Sequence, residues 1–250
     1  MTKNKIENAK KLLRSGELVI FPTETVYGLG GNANDKNAVR RIYNIKKRPA
    51  NNPIICHFKS LNEIKKDFYL SELEELLAKK LWPGPITLIL RKKTNSKISH
   101  LVSNKSSYIG CRIPKNKIAL QLLKGLNFPV AAPSANFSER TSVTKFEDLD
   151  KNLVKKIFTI KGEQSKLGLE STVIKVKKNT IEVLRLGSIT PNEILKVANK
   201  SKIKFITKSK ISPGNLKKHY ATRKKIRINI KKVNDDEGLI NFGNNNLKSE

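Results

Sequence analysis

The chain has 250 residues, 51 Lys+Arg against 21 Asp+Glu for a formal net charge of +30, and 38% hydrophobic residues. That apolar fraction, arranged in periodic segments, excludes wholesale disorder, and the charge favours polyanionic partners such as nucleotides, tRNA or an anionic surface. Cys56 and Cys111 lie far apart inside apolar runs, and His57, His100 and His219 show no zinc spacing, which excludes a disulfide framework and a structural zinc site.

In chain order, Met1 to Leu13 places Ile6, Ala9, Leu12 and Leu13 at helical spacing, an amphipathic helix and not a signal peptide. Glu17–Phe21 reads as a strand ending at Pro22. Ala38, Val39, Ile42 and Ile45 mark one helix face, Pro53–Phe58 a short strand, and Leu73, Leu76, Leu77 and Leu81 a second helix stopped by Trp82-Pro83-Gly84-Pro85. Ile86–Leu90 and Tyr108–Ile113 read as strands, Ile118–Leu123 as helix, and Phe128–Ala132 as a strand running into Pro133. Further strands are expected at Lys156–Ile160, Ser171–Val176 and Ile181–Leu186. Thr190-Pro191-Asn192-Glu193 is a helix start, with a capping hydroxyl, Pro in the first turn and Glu to close a capping box.

Such alternation predicts an α/β fold, a mixed sheet with helices packed against it. Near Ser209 the pattern breaks. Residues 1–205 read as one α/β domain, 206–222 as a linker and 223–250 as a short extension, with a strand at Lys224–Val233 and a turn at Asp235-Asp236-Glu237-Gly238. Without an apolar run near the roughly 18 residues of a membrane span, the reading is a soluble cytoplasmic protein. The lysines are spread out like a solvated surface, so drift toward Lys and Asn stands beside function as a cause of the charge.

Two motifs carry most of the chemistry. In Pro22-Thr23-Glu24-Thr25-Val26-Tyr27-Gly28-Leu29-Gly30, hydroxyls and a carboxylate follow a buried strand, and the glycines are expected to let the backbone turn tightly. The spacing G-x-G-x-x-A also occurs, but six residues separate it from the strand and no acidic residue follows about 20 positions on, which argues against a dinucleotide fold. In Lys46-Lys47-Arg48-Pro49-Ala50-Asn51-Asn52-Pro53, the prolines are expected to hold an extended backbone that aims Lys46 and Arg48 at a phosphate. Neither a P-loop nor a G-x-S-x-G elbow is present.

With the second motif continued through Cys56-His57, and with Trp82–Thr87, Arg112-Ile113-Pro114, Pro133–Asn136, Glu170-Ser171-Thr172 and Ser212–Tyr220, the set resembles the YrdC-type threonylcarbamoyl-adenylate synthases, in the right order over about residues 5 to 222. The linker resembles the longer branch of that family, which implies that 1–205 is the catalytic domain, 206–222 a linker or lid, and 223–250 a fragment of a second domain. Where the family carries a proline after His-Tyr-Ala, this chain has Thr222. The resemblance implies a twisted mixed sheet flanked by helices with a concave, positively charged pocket. It implies synthesis of threonylcarbamoyl-adenylate from L-threonine, bicarbonate and ATP, with pyrophosphate released, Mg²⁺ held mainly by ATP phosphates, and delivery to a downstream tRNA threonylcarbamoyltransferase complex.

Carried over by motif, Thr25, His57, Arg112, Ala132 and Ser171 would hold threonine. Arg48, Asn52, Tyr108, Ser134, Ser142, Arg185 and the linker's Tyr220 would contact ATP. Lys46 and Arg48 would supply the catalytic charge, and Asn136 would support its loop. Tyr108 stands where the family favours a smaller hydroxyl residue. The competing readings are a tRNA- or double-stranded-RNA-binding protein without turnover, a degenerate copy, and a carbamoyl-phosphate enzyme of the hydrogenase-maturation type. That last type carries zinc-binding cysteine pairs, which this chain lacks. Weak RNA affinity is compatible with catalysis.

Overall fold

Strand pleat and helical periodicity together determine where each face of this chain is buried. The computed structural model describes residues 2–137, 140–198, 202–205, 226–228, 230, 232–234 and 237–240. The chain divides into two units, Met1–Tyr220 and Ala221–Glu250.

The first unit runs α1 (Thr2–Arg14), β1 (Val19–Phe21), β2 (Gly28–Asn32), α2 (Lys36–Lys46), β3 (Cys56–His57), α3 (Leu61–Asp67), β4 (Phe68–Tyr69), α4 (Glu72–Leu81), β5 (Ile86–Lys92) and β6 (Tyr108–Arg112). It continues through α5 (Lys117–Lys124), β7 (Val130–Ala131), α6 (Lys151–Lys156), β8 (Phe158–Thr159), β9 (Thr172–Lys177), β10 (Thr180–Arg185), α7 (Pro191–Val197) and β11 (Lys202–Phe205). Among the described residues the strands join in one mixed sheet, ordered β11-β10-β9-β5-β6-β3-β7-β2-β1-β8, with β4 paired to β5.

Successive strand side chains point to opposite faces, and the core follows that rule. Ile20, Leu29, Cys56, Cys111, Ile86 and Leu88 enter the larger cluster, packed under α2, α4 and α7 by Val39, Ile42, Leu77 and Ile194. Val19, Phe21, Val130 and Ala132 face the other way, onto α1 and α5 through Ile6, Ala9, Leu13, Leu122 and Leu123. A third cluster, Ile89, Val173 and Leu184, covers that second face farther along the sheet. Cys56 and Cys111 are buried free thiols on adjacent parallel strands.

The capping box read at Thr190 and Glu193 is present, and a second one closes the start of α4 at Ser71 and Glu74. Two local expectations are corrected. Gly28–Asn32 is not a tight turn but strand β2, antiparallel to β1. Gly30 is required there by close packing, since a Cβ on it would lie 2.6 Å from Phe21 Cε1 and 2.7 Å from Val130 Cγ1. After α2 the chain does not extend through its prolines. Lys47 takes the left-handed conformation that ends the helix, and Asn52 N–H donates to the Pro49 carbonyl at 2.9 Å, closing a turn.

In the second unit Arg227 Nε donates to Glu237 Oε1 at 2.6 Å, and Asn234 N–H reaches the same carboxylate at 3.0 Å. The strand expected over 224–233 is not formed at its described positions. Among the described residues no helix is long and apolar enough to cross a membrane.

Candidate functional site

Pleat alternation also places the site. Next to Cys56, Cys111 and the Ile86/Leu88 pair, which point into the larger core, His57, Arg112 and Thr87 project from the opposite face. Between the α1/α5 cluster and the Ile89/Val173/Leu184 cluster, that face carries an open hollow of about 550 Å³, a volume that includes solvent at its mouth. It is lined by Thr23, Thr25, Arg48, His57, Arg112, Ala132, Ser134, Glu170, Ser171 and Arg185, with Val26–Gly28, Ile55 and Pro133.

At one end, Arg112 is 4% exposed. Its Nη1 donates to Thr25 Oγ1 at 3.0 Å and its Nε to the Gly84 carbonyl at 3.3 Å. Nη2 lies 2.8 Å from Glu24 Oε1, an ion contact without hydrogen-bond alignment, so neither Glu24 oxygen nor Nη2 has an aligned partner. Thr25 is held in turn by Thr23, hydroxyl to hydroxyl at 2.9 Å. His57 is buried, and its Nδ1 has no hydrogen-bond partner. Burial, and then the Arg112 charge, push its imidazole down to about 3, so it is neutral near pH 7. With the ring neutral, Arg112 is the one cation at this end; it already faces Glu24 through Nη2, and its guanidinium is the group that suits an incoming carboxylate.

At the other end, Arg48 donates from Nε to the Asn52 carbonyl (2.9 Å) and from Nη2 to Asn52 Oδ1 (2.7 Å) and the Pro53 carbonyl (2.6 Å). The turn at 49–52 makes this wrap possible. Burial lowers its guanidinium to about 10, which still leaves it charged near neutrality. Arg185 holds the Ser171 carbonyl through Nε at 3.1 Å and Nη2 at 2.9 Å, and its Nη1 pairs with Glu170 Oε2. Ser142 Oγ donates to Glu170 Oε1 at 2.8 Å. Ser171 Oγ also meets Thr87 Oγ1 at 2.8 Å, tying β5 to the segment before β9.

The structure thus brings Thr25, His57, Arg112, Ala132, Ser171, Arg48, Ser134 and Arg185 to one hollow. Asn52 and Ser142 stand just behind it, through Arg48 and Glu170. Lys46 does not line it. The side chain is 2% exposed, and its ammonium donates to the Ser134 carbonyl at 2.6 Å and to the Asn136 carbonyl. Burial first, and Arg48 second, lower it to about 7. Lys46 therefore props the 133–137 loop from beneath. Asn136 bridges the same loop, its Nδ2 donating to the Phe137 carbonyl at 3.0 Å and the Arg140 carbonyl at 2.6 Å.

Tyr108 is also outside the hollow: at the start of β6 it packs against the Ile89/Val173/Leu184 cluster, with Lys175 Nζ 3.5 Å above its ring. Tyr220 lies outside the described residues. The sequence reading gave Glu24 and Glu170 no role. Each is a carboxylate inside one of the motifs, directly before an assigned hydroxyl residue (Thr25 and Ser171), and that adjacency was the available signal. Among the described residues no group of three His, Cys, Asp or Glu gathers to hold a metal.

Residues 11–187 match the profile of the Sua5/YciO/YrdC family, which carries the description "Telomere recombination". The chain is 40% identical over 227 residues to the threonylcarbamoyl-AMP synthase of Pyrococcus abyssi, covering 87% of this chain and 65% of that protein. It is 38% identical over 223 residues to the threonylcarbamoyl-AMP synthase of Bacillus subtilis, covering 86% and 64%. The fold superposes on the crystal structure of P. abyssi Sua5 complexed with L-threonine with a TM-score of 0.80 and 39% identity, over 86% of this chain and 65% of that one. The chain therefore spans slightly less than two thirds of the length of these relatives.

Proposed function

The chain belongs to the Sua5/YciO/YrdC family, and we propose that it joins L-threonine, bicarbonate and ATP into threonylcarbamoyl-adenylate, releasing pyrophosphate, for transfer to tRNA by a downstream transferase complex. The observation that carries this reading is the shared hollow. A buried guanidinium with a neutral imidazole and hydroxyls stands at one end, and two further guanidinium groups stand at the other.

In this reading Arg112 receives the threonine carboxylate, with Thr25 and Ser171 as hydroxyl partners and His57 and Ala132 around the side chain. The relative crystallised with L-threonine supports a threonine subsite. Arg48 and Arg185 hold the phosphate chain, with Ser134 and Ser142 as neutral donors and Asn52 fixing the Arg48 fork. Lys46 acts by holding the loop that carries Ser134.

The amine nitrogen of threonine forms a bond to the bicarbonate carbon, losing a proton and expelling water, to give a carbamate. A carbamate oxygen then bonds to the α-phosphorus of ATP, and the bond to the β-phosphate oxygen breaks as pyrophosphate leaves. Neither step needs a protein nucleophile. Alignment of reactants in one cavity lowers such barriers by about 7–11 kcal/mol. Fixed positive donors stabilise the charge that builds on the phosphates.

Mg²⁺ would neutralise phosphate charge when present. Glu170 in the wall of the hollow and Glu24 behind Arg112 each sit against a guanidinium group, so these residues offer the ion no protein cage. We assign residues 1–205 the part of the catalytic domain; the linker or lid expected over 206–222, with Tyr220, lies outside the described residues.

The test is pyrophosphate release by purified protein supplied with ATP, Mg²⁺ and bicarbonate. Release should depend on L-threonine; equal release without it would overturn the reading.

A further inference from the structure

Among the described residues, Glu170 is the one carboxylate lining a hollow otherwise walled by Arg48, Arg112 and Arg185. Its two oxygens accept from different kinds of donor, Ser142 Oγ on one and Arg185 Nη1 on the other. A hydroxyl and a guanidinium are the donor pair that two oxygens of a phosphate group would take. Arg185 is otherwise anchored on the Ser171 carbonyl by Nε and Nη2, so its remaining nitrogen is presented to whatever anion occupies that position. The Glu170 and Arg185 side chains are each 10% exposed, so this pair sits at the wall of the hollow. The Glu170 charge also bears favourably on the buried cations Lys46 and Arg48.

We propose that Glu170 is an internal surrogate anion: it occupies the Ser142–Arg185 phosphate position in the free protein, and a polyphosphate ligand binds by displacing it. The ligand class rests on the function proposed above; the displacement rests on the contacts of Glu170. This arrangement acts in two ways. The free protein avoids leaving a cluster of guanidinium groups uncompensated in a confined hollow. The affinity for phosphate chains is set below what the arginines alone would give, since each binding event must move a carboxylate out of their field.

Glu170→Gln tests this. Glutamine has nearly the same shape, and its amide oxygen can still accept from Ser142 or Arg185, while the competing charge is gone. Calorimetric titration of the full chain with inorganic pyrophosphate, without metal, should give a Kd lower by roughly tenfold or more in the variant, as relief of a close like-charge contact implies. Unchanged or weaker binding, or no binding to either protein, overturns the proposal. Far-UV circular dichroism shows whether the variant folds. If it does not, a crystal structure of the unaltered protein with pyrophosphate decides: Glu170 is expected off both Ser142 and Arg185, and pyrophosphate bound with that pair intact is the contrary result. Tighter pyrophosphate binding together with no threonine-dependent pyrophosphate release would sink the proposed reaction and leave the surrogate role standing.

Discussion

Replacing Arg112 by methionine should destabilise the fold as well as abolish threonine binding, and the two effects can be separated. Arg112 and Glu24 have side chains 5% and 11% exposed and stand 2.8 Å apart. Methionine removes the guanidinium and leaves the Glu24 carboxylate buried without its counter-charge. Breaking a buried pair on one side costs about 3–5 kcal/mol. Thr25 Oγ1 and the Gly84 carbonyl also lose a donor, at roughly 1 kcal/mol each where no water replaces it. Most of the expected loss therefore comes from the stranded charge. Adding Glu24→Gln to Arg112→Met should recover about 2 kcal/mol or more by removing that charge, while threonine binding stays absent. Urea melts followed by circular dichroism give the stabilities, and calorimetry gives the threonine affinity. A loss below about 1 kcal/mol for the single variant, or a double variant no more stable than the single one, would refute the reasoning.

Gly30→Ala should cost about 1–3 kcal/mol, because the new methyl group meets Phe21 and Val130 well inside contact distance; an unchanged thermal midpoint would contradict the packing argument. Lys46 should make stability depend on alkaline pH. Its folded value of about 7 lies below its ordinary 10.5, so between those values the unfolded chain binds the extra proton and stability rises with pH. Urea midpoints of the unaltered protein should climb relative to Lys46→Met over that window, and parallel profiles would show that the ammonium is not perturbed. Arg48→Met should lower the rate of pyrophosphate release by about 10²–10³, the usual effect of losing one preorganised donor, with the fold retained by circular dichroism; a change under tenfold would remove Arg48 from the phosphate grip.

Much of the fold was legible because its elements obey strong local rules. Val19–Phe21, Ile86–Leu90 and Ser171–Val176 are apolar runs bounded by turn residues, and the Thr190 helix start carries its own cap. The Arg112 end of the hollow was legible for a related reason. His57 and Arg112 each come directly after a buried cysteine on a strand, so pleat alternation turns them away from the core once the strands pair in register. Gly28–Asn32 escaped because glycine signals a turn by default, and only the tertiary proximity of Phe21 and Val130 makes it a requirement of a strand. The turn at Pro49–Asn52 escaped because proline restricts the residue before it and leaves the conformation of the residues after it open. Lys46 and Tyr108 were assigned by motif, but where a long side chain ends depends on distant elements: the 133–137 loop for Lys46, and β9 and β10 for Tyr108. Glu24 and Glu170 have their meaning only through Arg112 and Arg185, which lie far away in sequence.

The most direct test of the whole account is mass spectrometry of the product formed from L-threonine, ATP and bicarbonate, run with ordinary and with ¹³C-labelled bicarbonate. The account predicts an adenylate of threonylcarbamate whose mass rises by one unit with the label. An adenylate of threonine itself, carrying no bicarbonate carbon, would contradict it.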